Sequence, residues 1–112
     1  MKNFMILIRE DAAIMANMSE AEAQAEINEY MAWVEEMAKT DNYISGDPLE
    51  PVGRYLKKDT IHSDGPFIES KEAVTGYVLI QAKDIAEAVE LAKQCPVYKH
   101  NGAVELRPIM KY

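Results

Sequence analysis

The chain has 112 residues, with 12 Lys and Arg against 19 Asp and Glu and a net charge of −7. With 48% apolar residues, that length supports one domain over residues 1–112, built on one hydrophobic core. The acidic balance leaves no basic footprint for nucleic acid, and one cysteine rules out a disulfide framework or a cysteine-based zinc site. No apolar stretch reaches the roughly 18–20 residues of a membrane span, and the N-terminus has no signal-peptide pattern, so the expected location is the cytoplasm.

Phe4 to Ile8 is an unbroken apolar run ending at Arg9, the pattern of a central strand covered on both faces. Glu10 to Met18 reads as a connection with little periodic order. Ser19 and Glu22 have capping-box spacing and open a helix that runs to Thr40, with no Gly or Pro inside it. Its expected inner stripe is Ala23, Ile27, Tyr30, Val34 and Met37, widened by Met31 and Ala38. Trp33 falls outside that stripe among Glu22, Glu26, Glu29 and Glu36, so it is expected to touch neighbouring loops or to anchor another subunit.

Turn residues dominate from Thr40 to Pro51, with Tyr43 to Ser45 as a short strand between them. Arg54 to His62 fits a small hairpin or a bent edge strand that tolerates Lys57 and Lys58. Asp64-Gly65-Pro66-Phe67 is a turn sequence, and Tyr77 to Ile80 is a strong strand. Asp84 and Glu87 repeat the capping spacing ahead of a second helix with Ile85, Ala88, Val89 and Ala92 inward, ended by Cys95-Pro96. Asn101-Gly102 turns the chain into a last strand from Ala103 to Met110.

The resulting order, βαββαβ, predicts a ferredoxin-like α+β sandwich with both helices on one face of an antiparallel sheet. Met5, Leu7, Tyr77 and Leu79 would then lie on the helix-free face. An uncovered apolar sheet of that kind points to a homodimer closed through the sheet, with a small-molecule pocket at its margin.

The Asp64–Phe67 tetrapeptide carries a resemblance. With Glu69, Lys71 and Glu72 behind it, Gly76-Tyr77, Cys95-Pro96, and Gly102, Val104, Glu105, Arg107 and Pro108 at the end, the whole chain resembles the YCII-related, or DGPF-domain, family. The resemblance implies a dimeric α/β-barrel assembly of ferredoxin-like protomers. It also brings two functional leads: a His–Asp pair with a dehydrochlorinase of chlorinated hydroxyquinols in one branch, and association with extracytoplasmic-function sigma factors in another. This sequence has no histidine before His62, so a histidine of the N-terminal half is missing from that pair.

The chemistry-bearing residues gather, by topology, where the end of the first strand meets the starts of the last two. That edge would hold Arg9, Phe67, Glu69, Lys71 and Glu72 as binding residues, with His62, Asp64 and His100 as the acid–base set. His62 or His100 would serve as general base and Asp64 or Glu72 as the orienting carboxylate, while Arg9 and Lys71 would face an anionic or enolate-like substrate. Each has a plainer reading. A loop histidine is ordinarily solvated, Asp64 in a turn accepts local backbone N–H groups, and Glu69, Lys71, Glu72 and Arg107 fit surface ion pairs.

Cys95 at a helix end reads as a buried, inert thiol, and the seven methionines read as adaptable packing. No metal-ligand spacing or phosphate loop is present, so no cofactor is expected. Residues 10–36 hold eight acids and no Lys or Arg, which reads as a solvated helix face. Two functions fit: a dimeric accessory module binding a metabolite or partner, or an enzyme carrying out elimination or isomerisation on a small, aromatic-type anion.

Overall fold

The computed structural model describes residues 1–50, 52–62 and 72–111. Strand β1 (Lys2–Asp11) leads into helix α1 (Ala12–Ala16) and helix α2 (Glu20–Lys39). Strands β2 (Tyr43–Pro48), β3 (Tyr55–Lys57), β4 (Thr60–His62) and β5 (Glu72–Ala82) follow, then helix α3 (Ile85–Ala92), a 3-10 helix (Pro96–His100) and strand β6 (Ala103–Pro108). Four strands form one antiparallel sheet in the order β2-β5-β1-β6, and β3 and β4 pair as a separate hairpin. The fold is mixed α+β.

Strand β1 is central, hydrogen-bonded to β5 on one side and β6 on the other. Its even-numbered residues Phe4, Ile6 and Ile8 face the helices and join Val78, Ile80 and Ala82 of β5 in the core. Helices α2 and α3 cover this one face with Trp33, Val34, Met37, Ala88 and Ala92. Met5, Leu7, Tyr77 and Leu79 point to the other face and are half-buried.

The capping box of α2 is present: Ser19 Oγ accepts from Glu22 N at 3.1 Å and Glu22 Oε1 accepts from Ser19 N at 3.3 Å. At α3, Asp84 Oδ1 accepts from Glu87 N at 2.9 Å, but the Glu87 carboxylate reaches one residue further back, to Lys83 N at 3.1 Å. Asn101 ends the 3-10 helix in the left-handed conformation, at φ 60°.

Three expectations are corrected. Glu10 to Met18 is not a bare connection. Strand β1 continues to Asp11, whose carboxylate caps α1 by accepting from Ala13 N at 2.8 Å and Ile14 N at 3.4 Å. Trp33 is not a flank but core, 5% exposed, and its indole N–H donates to the Leu91 carbonyl of α3 at 3.0 Å. The inner stripe of α2 is accordingly rotated. Trp33, Val34 and Met37 are buried, whereas Ile27 and Met31 are each 49% exposed and Ile85 on α3 is 53% exposed. Two helices crossing one sheet bury the residues that contact both the sheet and each other, and the large indole occupies that junction.

Candidate functional site

The rotation of α2 turns Glu26 inward. Residues 26, 30, 33 and 37 lie along one helical row, so the stripe that buries Trp33 and Met37 carries Tyr30 one turn and Glu26 two turns earlier over the sheet. Beneath them, Glu10 continues the inward series of Ile8 on β1 and is only 7% exposed.

A break in strand pairing completes the arrangement. Ile8 pairs with Gly76 and Arg9 with Val74, so Thr75 is the extra residue of a β-bulge. The bulge changes which residues of β5 face inward: Gly76, Val78 and Ile80 are buried above it and Ala73 below it. It also frees the Thr75 hydroxyl to donate to Glu10 Oε1 at 2.8 Å. Bulges commonly re-aim a side chain in this way beside functional sites.

Glu10, Glu26, Tyr30, Thr75 and Cys95 share a cavity of about 500 Å³ between α2, the sheet and the start of the 3-10 helix. The remaining wall is apolar, including Ile8, Ile27, Met15, Met18, Met31 and Leu49. Burial first, then a hydrogen bond with Glu10 and the charges of Glu10 and Glu29, push the Glu26 carboxyl up to about 7. A carboxylate next to another can avoid repulsion by keeping a proton between them. Burial also pushes the Cys95 thiol up to about 11, helped by the charges of Glu10 and Glu26 and opposed by a backbone hydrogen bond from Val97. Burial pushes Tyr30 up to about 12, and its hydroxyl oxygen is fully buried without a hydrogen-bond partner among the described residues. Cys95 and Tyr30 therefore stay protonated near neutral pH, while Glu26 is poised to exchange its proton.

Glu29, one turn along α2, has its own cation: Lys99 Nζ lies 3.1 Å from Glu29 Oε2, off the axis needed for a hydrogen bond. Among the described residues, the cavity wall includes no Lys, Arg or His. No cluster of His, Cys, Asp and Glu among the described residues could hold a metal ion.

The described residues among those singled out from sequence are dispersed. Arg9 pairs with Glu105 at 3.0 Å, and Arg107 meets the other oxygen of Glu105 at 3.1 Å, so two guanidinium groups hold that carboxyl below its usual range. Glu105 alternates with the core-packed Val104 and Leu106, so this charged group lies on the helix-free face. His100 lines a second recess of about 350 Å³ with Asn17, Met18 and Glu22, and its Nε2 is buried without a partner among the described residues. Met18 borders both spaces. His62 ends β4, and Glu72 opens β5 opposite Asp11 of β1. Asp64, Phe67, Glu69 and Lys71 lie outside the described residues.

Sequence reasoning missed Glu10 and Glu26. The available signal was the 26–30–33–37 row, hidden because a glutamate at its head looks like part of the acidic outer face.

Comparison with known proteins places the chain in a family. An uncharacterised protein of Rhizobium meliloti (strain 1021) is 30% identical over 82 residues, which cover 62% of this chain and 66% of that relative. The chain thus spans about two thirds of the relative's length. Residues 2–112 match the model of the YCII-related domain, and a match over nearly the whole chain means that the chain belongs to the YCII-related domain family.

Proposed function

We propose that this protein is a cytoplasmic, homodimeric accessory module that binds a small organic molecule in the cavity between α2 and the sheet. The cavity and its carboxyl pair carry the reading. A volume of about 500 Å³, apolar walls and a few convergent polar groups are the ordinary make-up of a small-molecule site. Placing Glu10 and Glu26 together between α2 and the sheet costs folding free energy, and such perturbed acids concentrate at sites of function. Ligand-observed NMR with a mixture of small amines, phenols and carboxylic acids tests the reading. A binder that is lost in Ala23→Trp, which fills the cavity, supports it; the absence of any binder in the panel rejects it.

Glu26 favours a second reading, an enzyme of acid–base chemistry, because a carboxyl near 7 can both give and take a proton at neutral pH. Glu10 and Glu26 would replace the histidines as the acid–base pair. The substrate would be neutral or cationic, since an anion would face two carboxyl groups. Solvent-deuterium incorporation into a bound carbonyl compound, absent in Glu26→Gln, would favour this enzyme over a binding module.

The strand order β2-β5-β1-β6, wholly antiparallel with helices on one face, supports the ferredoxin-like assignment, with the hairpin β3–β4 as an insertion. Half-buried Met5, Leu7, Tyr77 and Leu79 on the helix-free face support pairing of two copies through their sheets. Sedimentation should then give twice the 12.6 kDa chain mass, and Leu7→Lys should return the protein to monomer. A wild-type monomer at micromolar concentration would rule the pairing out.

A further inference from the structure

We infer that the cavity takes a small ammonium ion with an apolar body, and that its binding expels a proton held between Glu10 and Glu26. The inference rests on the reading of the cavity as a ligand site and names the ligand's chemistry.

The polar groups decide the sign of the charge. Glu10 and Glu26 are acidic, the Thr75 hydroxyl already donates to Glu10, and the buried Tyr30 oxygen has no partner among the described residues. The nearby cation, Lys99, is engaged by Glu29. An anion entering here would meet carboxyl groups with no compensating side-chain charge in the described wall. A neutral alcohol offers one donor and leaves the proton in place. An ammonium offers three donors to the two carboxyl groups, and charge-assisted bonds are the stronger kind.

The walls decide the rest of the ligand. Ile27 and Met31 are large apolar residues left 49% exposed at this cavity, beside Met15 and Met18. An aryl or alkyl group would cover them, and methionine adapts to either.

The proton balance is simple. In the free protein the Glu26 carboxyl, beside Glu10, holds a proton below about pH 7. When the ammonium docks, that proton passes to solvent and two carboxylates face one cation. No covalent bond forms or breaks. Among the described residues, the other titratable groups around the pair are Glu29 on α2, already matched to Lys99, and Tyr30 and Cys95, which remain protonated across the same range.

Isothermal titration calorimetry in two buffers of different ionisation enthalpy reads the proton directly. The probes are 2-phenylethylammonium, 2-phenylethanol and phenylacetate. With Glu26 at about 7, ammonium binding should release about 0.9 proton at pH 6 and about 0.1 at pH 8. Affinity should rise roughly tenfold per pH unit below 7 and level off above it. Glu26→Gln should abolish the release, Glu10→Gln should reduce it because burial still raises Glu26, and both should weaken binding, with amide spectra confirming that both variants fold. Alcohol or phenylacetate binding as tightly as the amine, or amine binding without proton release, would overturn the inference and leave the ligand site standing. If none of the three probes binds, both fall together.

Discussion

Replacing Glu26 with Gln should stabilise the protein, and increasingly so as pH rises. The neutral amide copies the shape and hydrogen-bonding reach of the protonated acid without its ability to ionise. The folded protein holds the Glu26 proton up to about 7, against 4.5 for the ordinary carboxyl, so the native state binds that proton more tightly than the unfolded chain. Stability contributed by the protonated form is complete below 4.5 and is lost as pH rises through 7. At about 1.4 kcal/mol per pH unit, the full difference is a ceiling of roughly 3 kcal/mol. Glu26 is only half-buried, and solvent screening reduces that to about 1–2 kcal/mol. Urea unfolding followed by Trp33 fluorescence, at fixed protein concentration from pH 4.5 to 8.5, measures it. The variant should match wild type at the acid end and exceed it by about 1–2 kcal/mol at pH 8, a shift of roughly 4–9 °C in melting temperature. A difference that does not change with pH, or one that favours wild type as pH rises, would refute the shared-proton account.

Trp33→Phe removes the indole donor to Leu91 and some core volume, and should cost about 2–3 kcal/mol in chemical denaturation. Gly102→Ala would drive a methyl group into the Val97 side chain and to 2.8 Å from the Arg9 carbonyl; an expected loss of about 2 kcal/mol or more should show in thermal melts. Cys95 is 3% exposed and holds its proton to about 11, so a thiol reagent at pH 8 should label it at the rate of protein opening; rapid labelling of the native state would contradict its placement.

Much of the fold could be read wherever local chemistry and tertiary structure agree. Five apolar residues from Phe4 to Ile8 call for a central strand, and β1, like β5, has a strand on each side. Ser19 and Glu22 satisfy each other's backbone donors at the start of α2. The failures lie where signals are short. Helix α1 has five residues, too few for a periodic stripe, and its one marker was Asp11 ahead of Ala-Ala-Ile-Met-Ala. Pro96 was read only as a stop after α3, yet it also starts a 3-10 helix, because its fixed φ suits a first helical position.

The site stayed hidden for a reason of a different kind. A carboxylate is assigned to solvent because burying it charged is prohibitive, and with eight acids between residues 10 and 36 that assignment looks uniform. It is not uniform here. Glu20, Glu22, Glu35 and Glu36 are exposed, Glu29 meets Lys99, and Glu10 and Glu26 face each other inside. Two acids separated by 16 positions, one on a strand and one on a helix, carry no local mark of their meeting. What brings them together is the unbroken inward alternation of β1 and the turn of α2 that buries Trp33, while the pairing slip at Thr75 supplies a hydroxyl to Glu10. Burial becomes tolerable once one proton serves both carboxyl groups, because the pair then carries one charge instead of two. The same proton makes the site responsive: whatever supplies a positive charge there can displace it. A purely structural acid pair would gain as much from an apolar substitution, so the decisive comparison is Glu10→Leu with Glu26→Leu. A stable double variant that still binds the ligands of the wild type would reduce the pair to packing, whereas a stable double variant that binds none would identify it as the recognition element.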